Sequence, residues 1–171
     1  MRTLLVVSGV FALAALAWTV QIVRVSSNSM AGTYCDGEVL IAVRHSSSQD
    51  LRDQVVVFRR PGQGLVIKRV VAVGGDSVQM NDGLSIVNGK PQKEPYVGCR
   101  ERLRAIDSWW SHVGESQATL SRVPAEALWV LGDNRLVSID SRDLGPISRR
   151  DVRSVVALSL FRPRSKHCTC G

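Results

Sequence analysis

From Thr3 to Val23 the chain carries no ionisable side chain, reading TLLVVSGVFALAALAWTVQIV. At about 1.5 Å of rise per residue, 21 residues give roughly 32 Å of helix, enough to cross the hydrocarbon core of a bilayer. Trp18 and Gln21 stand near its far end, where an amphipathic ring and an amide suit the interface. Arg2 precedes the span and favours an N-in orientation, which Arg24 weakens. A cleavable signal peptide is the competing reading, because Ala12-Leu13-Ala14 and Ala15-Leu16-Ala17 resemble cleavage sites. An anchor and a signal peptide alike put the rest of the chain outside the cytoplasm. With a single such span, a polytopic channel is excluded. The expectation is a membrane anchor over residues 1–24 and an extracytoplasmic domain over 25–171, on the cell membrane.

From Arg24 onward the chain holds all 15 acidic residues and 21 of the 22 basic ones, within a formal net charge of +7. Such charge, beside abundant Val and Leu, excludes a wholly disordered chain. Arg100 to Arg104 and Arg149 to Arg153 are basic enough to suggest nucleic acid. No reading motif accompanies them, and the compartment argues against it, so anionic lipid headgroups or solubility account for the charge and no nucleic-acid partner is expected. Cys35, Cys99, Cys168 and Cys170 allow three disulfide pairings, between which the sequence does not choose. His167-Cys168-Thr169-Cys170 is too short to hold a metal unaided, so neither a metal nor a cofactor is expected.

Short runs rich in β-branched residues follow, bounded by turn formers: Glu38 to Arg44, Gln54 to Phe58, Leu65 to Val73, Leu128 to Leu131 and Ser154 to Phe161. Asn81-Asp82-Gly83 and Asn88-Gly89 read as hairpin turns, since these residues tolerate positive φ. From 76 to 124 the chain is polar and turn-rich, with Trp109-Trp110 and room for a short helix. The reading is a mainly β fold around one core, carrying a small inserted subdomain at 76–124.

Lys68 is the most informative charge. On a strand, Val66, Lys68, Val70 and Ala72 share one face, while Leu65, Ile67, Arg69, Val71 and Val73 share the other. An ammonium between valines must snorkel, pair or lose its proton, and a lysine tuned toward neutrality serves as a general base. Ser27-Asn28-Ser29-Met30 and the loop Gly132 to Pro146 are the other polar segments of note. Either could be no more than a linker or a solvated loop.

Taken in order behind the anchor, SNSM (27–30), DQVVVF (53–58), VIKRVVAVGGD (66–76) and GDNRLVSIDSRDLGP (132–146) resemble the type I signal peptidases, serine–lysine membrane peptidases. The resemblance implies a signal-peptidase-like β core and an endopeptidase that removes N-terminal signal peptides from exported precursors, selecting small residues in an Ala-x-Ala pattern. It implies Ser29 as nucleophile and Lys68 as its base, with the Ser27 hydroxyl and the Ser29 N–H as oxyanion hole. Ser138 would orient Lys68, and the pairs Asp133 with Arg69 and Asp140 with Arg142 would be structural supports. The family usually has proline where Gly32 and Gly74 stand, so both turns are expected to be less rigid. Two other readings remain: a processing peptidase dedicated to one precursor, and a non-catalytic, membrane-tethered binding domain of the same fold. A self-cleaving repressor would need a DNA-binding motif where the apolar span lies.

Overall fold

The computed structural model describes residues 19–46, 48–81, 83–97 and 121–162. Eleven strands lie within them: β1 Val20–Arg24, β2 Val39–Val43, β3 Val55–Arg60, β4 Gly64–Val73, β5 Ser77–Asn81, β6 Leu84–Val87, β7 Lys90–Pro91, β8 Ser121–Arg122, β9 Ala127–Leu131, β10 Ile147–Ser148 and β11 Val152–Phe161. A single-turn helix, α1, spans Ser141–Leu144, and a 3-10 turn spans Arg149–Asp151. The main sheet has seven strands in the order β1-β2-β11-β3-β4-β9-β10. A second, four-stranded sheet runs β7-β6-β5-β8 and is built from the stretch that reads as an insertion. The architecture is mainly β.

The main sheet is apolar on both sides at its centre. Strand β3 explains why, since Val55, Val56, Val57 and Phe58 are all buried. Val55 and Val57 pack with Val23, Val25, Met30, Leu40 and Ala42 on one face. Val56 and Phe58 pack with Leu51, Val70, Leu128 and Val130 on the other. Each valine side chain removed from water in this way contributes about 1.5–3 kcal/mol. A third cluster joins Val71, Ala72, Trp129 and Leu131 of the main sheet to Val78 and Val87 of the second.

Two expectations are corrected here. The uncharged span does not continue as helix to Val23, because Val20–Arg24 pairs antiparallel with β2, Ile22 facing Ile41. β-branched residues at 20, 22 and 23 favour that pairing. No helix among the described residues is long and apolar enough to cross a membrane. Residues 1–18 lie outside the described ones. The second correction concerns strand faces. The register of β4 against β9 shifts between Val70 and Ala72, a bulge. Ala72 therefore joins Val71 in the third cluster, and Val73 packs with Val66 and Val70 on the face of Lys68.

The turn expected at Asn88-Gly89 closes β6 onto β7 with φ of 51° and 73°. The two glycines standing at family prolines are each required by geometry. Gly32 has φ 109°, which a proline ring fixed near −65° cannot adopt. At Gly74 a Cβ would lie 2.0 Å from the Ala125 carbonyl oxygen, so backbone meets backbone. Gly74→Ala is expected to cost at least the roughly 1–3 kcal/mol of an overpacked core, read as a lowered Tm. An unchanged Tm would show that the Ala125 segment yields freely. The short helix expected within 76–124, the pair Trp109-Trp110 and Cys99, Cys168 and Cys170 fall outside the described residues. Cys35 is fully buried and disulfide-bonded.

Candidate active site

Ser29 sits in a tight turn between β1 and β2. Its neighbours Met30 and Ala31 are buried, and Ala31 N–H donates to the Asn28 carbonyl while Thr33 and Tyr34 N–H donate to that of Met30. The turn is thus anchored from beneath and leaves the Ser29 side chain half-buried at the surface. Across from it, Lys68 lies on β4 opposite Val56 of β3 and is only 4% exposed. Its Nζ donates to Ser29 Oγ at 2.6 Å. Strand alternation sends the adjacent Arg69 the other way, as the sequence requires.

Burial holds the Lys68 ammonium down at a pKa of about 8, against the opposing pull of the Asp140 and Asp133 carboxylates, with Arg60 and Arg142 adding to the lowering. Among the described residues no ion pair holds Lys68. The neutral amine is the form able to accept a proton. Any activity that uses it as base is expected to rise with pH through an apparent pKa near 8. A kcat/KM profile flat from pH 6 to 9 would contradict that role.

Ser27 Oγ lies 3.1 Å from Ser29 Oγ and accepts from the Ser29 N–H at 3.5 Å. One hydroxyl and one N–H therefore converge beside Ser29. Ser138 is buried, and among the described residues its Oγ makes no hydrogen bond of ordinary geometry, though its hydroxyl lies near enough to Asp140 to help lower that carboxyl's pKa. Ser138 is nonetheless part of the site, since a Cβ placed on Gly132 would meet Ser138 Oγ at 2.2 Å and the Ser29 carbonyl at 2.5 Å. Gly132 lets the Ser29 turn and the Ser138 turn close against each other.

The proposed supports are in contact. Arg69 donates to both oxygens of Asp133, from Nε at 2.9 Å and Nη2 at 2.7 Å, and its guanidinium stacks 3.9 Å over the Tyr96 ring. Asp133 follows β9 by two residues, so the fork locks the loop to β4. Asp140 accepts from Arg142 Nε at 2.8 Å and Nη2 at 3.0 Å, and from the Gly132 N–H at 2.9 Å. It also caps α1 in a capping box with Asp143. Burial alone would raise the Asp140 pKa, but Arg142 and the Gly132 N–H outweigh it and hold the carboxyl below its ordinary value.

Several residues of the site carry no role in the sequence reading. Thr33 Oγ1 donates to Asp133. Arg135, fully buried, donates to Glu94 at 2.6 Å and to the Gly132 carbonyl at 3.1 Å. Asn134 bonds the turn that carries Ser29. Arg135 and Asn134 fall inside the quoted loop motif, so their position was visible though their contacts were not. Glu94 had no signal at all.

A half-buried serine hydroxyl hydrogen-bonded to a buried lysine, with a second hydroxyl at the same point, is an arrangement able to support serine-nucleophile chemistry. The family described as "Signal peptidase, peptidase S26" matches residues 1–161, and the chain belongs to that family. It is similar to signal peptidase I V of Bacillus subtilis, 30% identical over 78% of this chain and 82% of that one. Signal peptidase I of Streptococcus pneumoniae is also 30% identical, covering 81% of each. A crystal structure of a signal peptidase I from Enterococcus faecalis, 25% identical, aligns with a TM-score of 0.48 over 66% of this chain and all of that one.

Proposed function

We propose that the protein is a membrane-anchored endopeptidase that cleaves signal peptides from exported precursors with Ser29 as nucleophile and Lys68 as general base. The 2.6 Å contact between Ser29 Oγ and the Lys68 amine carries this reading. Oγ attacks the scissile carbonyl and forms an ester as its proton passes to Lys68 Nζ. That proton then goes to the departing amine nitrogen when the C–N bond breaks. Water gives up a proton to Lys68, attacks the ester carbon and releases the signal peptide, returning the proton to Ser29 Oγ. The developing oxyanion takes the place of Ser27 Oγ before the Ser29 N–H, and the Ser27 hydroxyl turns to donate to it. One such donor is typically worth about 10²–10³ in kcat. Ser138 helps to orient the Lys68 amine as it moves from Ser29 to water.

The substrate backbone has a ready partner. Strand β4 pairs with β3 along Gly64–Arg69, but with β9 only from Arg69 onward. Among the described residues this leaves the edge from Leu65 to Lys68 open beside Ser29, where an extended precursor adds as a strand. Tyr34 and Ile67, partly buried against the core cluster that holds Met30, are the apolar side chains offered to small substrate side chains. A cavity of about 230 Å³, lined by Phe58, Val66, Ile139 and Leu144 among others, opens on the Lys68 face.

Membrane attachment rests on the apolar residues up to Trp18, the part of the span ahead of β1. Ser29 stands eleven residues after Trp18, and β1 leads the chain back along the sheet to it. Ile22, Leu158, Leu160 and Phe161 on β1 and β11 are each about half exposed or more, an apolar edge suited to face lipid on the extracytoplasmic side. The test is cleavage of a secretory precursor by the detergent-solubilised chain. Processing at an Ala-x-Ala site that Ser29→Ala abolishes is the expected result. Failure on every precursor, with retained binding, would favour the tethered binding domain, and processing of a single precursor among many the dedicated peptidase.

A further inference from the structure

We infer that Asn134 is a positioning residue that holds the nucleophile turn in register with Lys68, an inference that rests on the reading just given. Ser29 belongs to one turn, Lys68 to β4 and Ser138 to another turn, so a productive site needs three segments distant in sequence to be fixed against one another. Asn134 bonds two of them at once. Its N–H donates to the Ser29 carbonyl at 3.0 Å. Its side-chain Nδ2 donates to the Asn28 carbonyl at 3.1 Å, across 106 residues of sequence. Its own carbonyl accepts the Ser138 N–H at 3.2 Å. The third segment is tied on by the next residue back, since Asp133 holds Arg69, the neighbour of Lys68 on β4.

The chemistry of the side chain is specific. A backbone carbonyl only accepts, so the amide must present its nitrogen, and a carboxylate of the same shape could not make the bond. Asn134 is 5% exposed, whereas Asn28 and Ser27 are exposed. The bond therefore reaches from the protected interior to the solvent side of the turn, where water competes for the same carbonyl. The Asn28 carbonyl already takes the Ala31 N–H at 3.1 Å, so the amide reinforces the turn from outside while Met30 and Ala31 anchor it from within. Displacing a nucleophile by about 1 Å costs on the order of 10² in rate, and Asn134 guards against that displacement without touching the reacting atoms.

The experiment compares Asn134→Asp and Asn134→Ala with the parent, as full-length protein in detergent, on a precursor peptide. Both variants keep the two backbone bonds and remove the Nδ2 donor; Asn134→Asp also sets a buried carboxylate against the Asn28 carbonyl, so Asn134→Ala gives the cleaner report and kcat is read per folded molecule in each. The expected result is a fall of about 10²-fold in kcat per folded molecule, with KM within threefold of the parent. In Asn134→Ala the Tm and the pH midpoint set by Lys68 should stay near their parent values. A kcat within threefold of the parent would overturn the inference, as would a loss confined to KM or one that disappears when the assay is cooled below the onset of unfolding. Lys68→Ala, run in parallel, separates the two layers: parent-like cleavage by it would sink the Ser29–Lys68 reading itself.

Discussion

Lys68→Ala is expected to lower kcat by about 10⁴-fold or more while leaving the fold in place, because losing the base of a nucleophile–base unit removes nearly all of its effect. Truncating Lys68 leaves a small cavity among valines and takes away an amine whose burial disfavours its charge, so stability should hold or rise below pH 8. The sign follows from the lowered pKa. The unfolded chain binds a proton to Lys68 up to about pH 10.4, the folded one only to about 8, so the native state gains stability from this group as pH rises through that window. Lys68→Arg is expected to be as inactive as Lys68→Ala, since a guanidinium stays protonated. An active Lys68→Arg would mean that charge, and not proton transfer, is what position 68 supplies.

The second large effect is on stability. Arg135 and Glu94 are both fully buried and bonded at 2.6 Å, and Glu94 also takes the Ser85 N–H and hydroxyl. Removing one member of a buried pair strands the other, at about 3–5 kcal/mol. Arg135→Ala should therefore lower Tm by roughly 10 °C, whereas the exposed Arg150→Ala should leave it almost unchanged. The pair joins the loop that holds the site to the segment following β7 of the second sheet, so activity should fall in step with folded fraction. Burial tends to raise the Glu94 pKa, and Arg135 with the Ser85 bonds more than reverses this. The stability it contributes is present above the ordinary carboxylate range and is lost as pH falls through its lowered value. A Tm unchanged in Arg135→Ala would show that the two sheets do not depend on this link.

What could be read beforehand followed the physics of each signal. Strands β2, β3, β4, β9 and β11 announced themselves through runs of Val, Leu and Ile, and the opposite directions of Lys68 and Arg69 followed from a period of two. The bulge after Val70 did not, because a register shift depends on the partner strand, and Ala72 changed sides with it. Hydropathy alone could not tell that Val20–Val23 ends in a sheet, since an apolar β-branched run suits a membrane helix and a buried strand equally. Within the site, the polar motifs marked where Ser29, Ser138, Asp133 and Asp140 meet. The roles of Gly132 and Asn134 needed coordinates, because one acts through an absent Cβ and the other through a bond spanning the chain. Gly32 and Gly74 fit a positive φ and a close backbone contact that proline could not accommodate, neither of which is visible in the sequence.

The central claim is that Ser29 is acylated by the signal-peptide portion of a precursor. Rapidly quenched mixtures of enzyme and precursor, digested and examined by mass spectrometry, address it directly. The prediction is a peptide containing Ser29 heavier by the mass of the acyl fragment, formed faster as pH rises through 8 and absent from Ser29→Ala and Lys68→Ala. Cleavage of the precursor by Ser29→Ala at the parent rate, with no adduct on Ser29 in the parent, would contradict it.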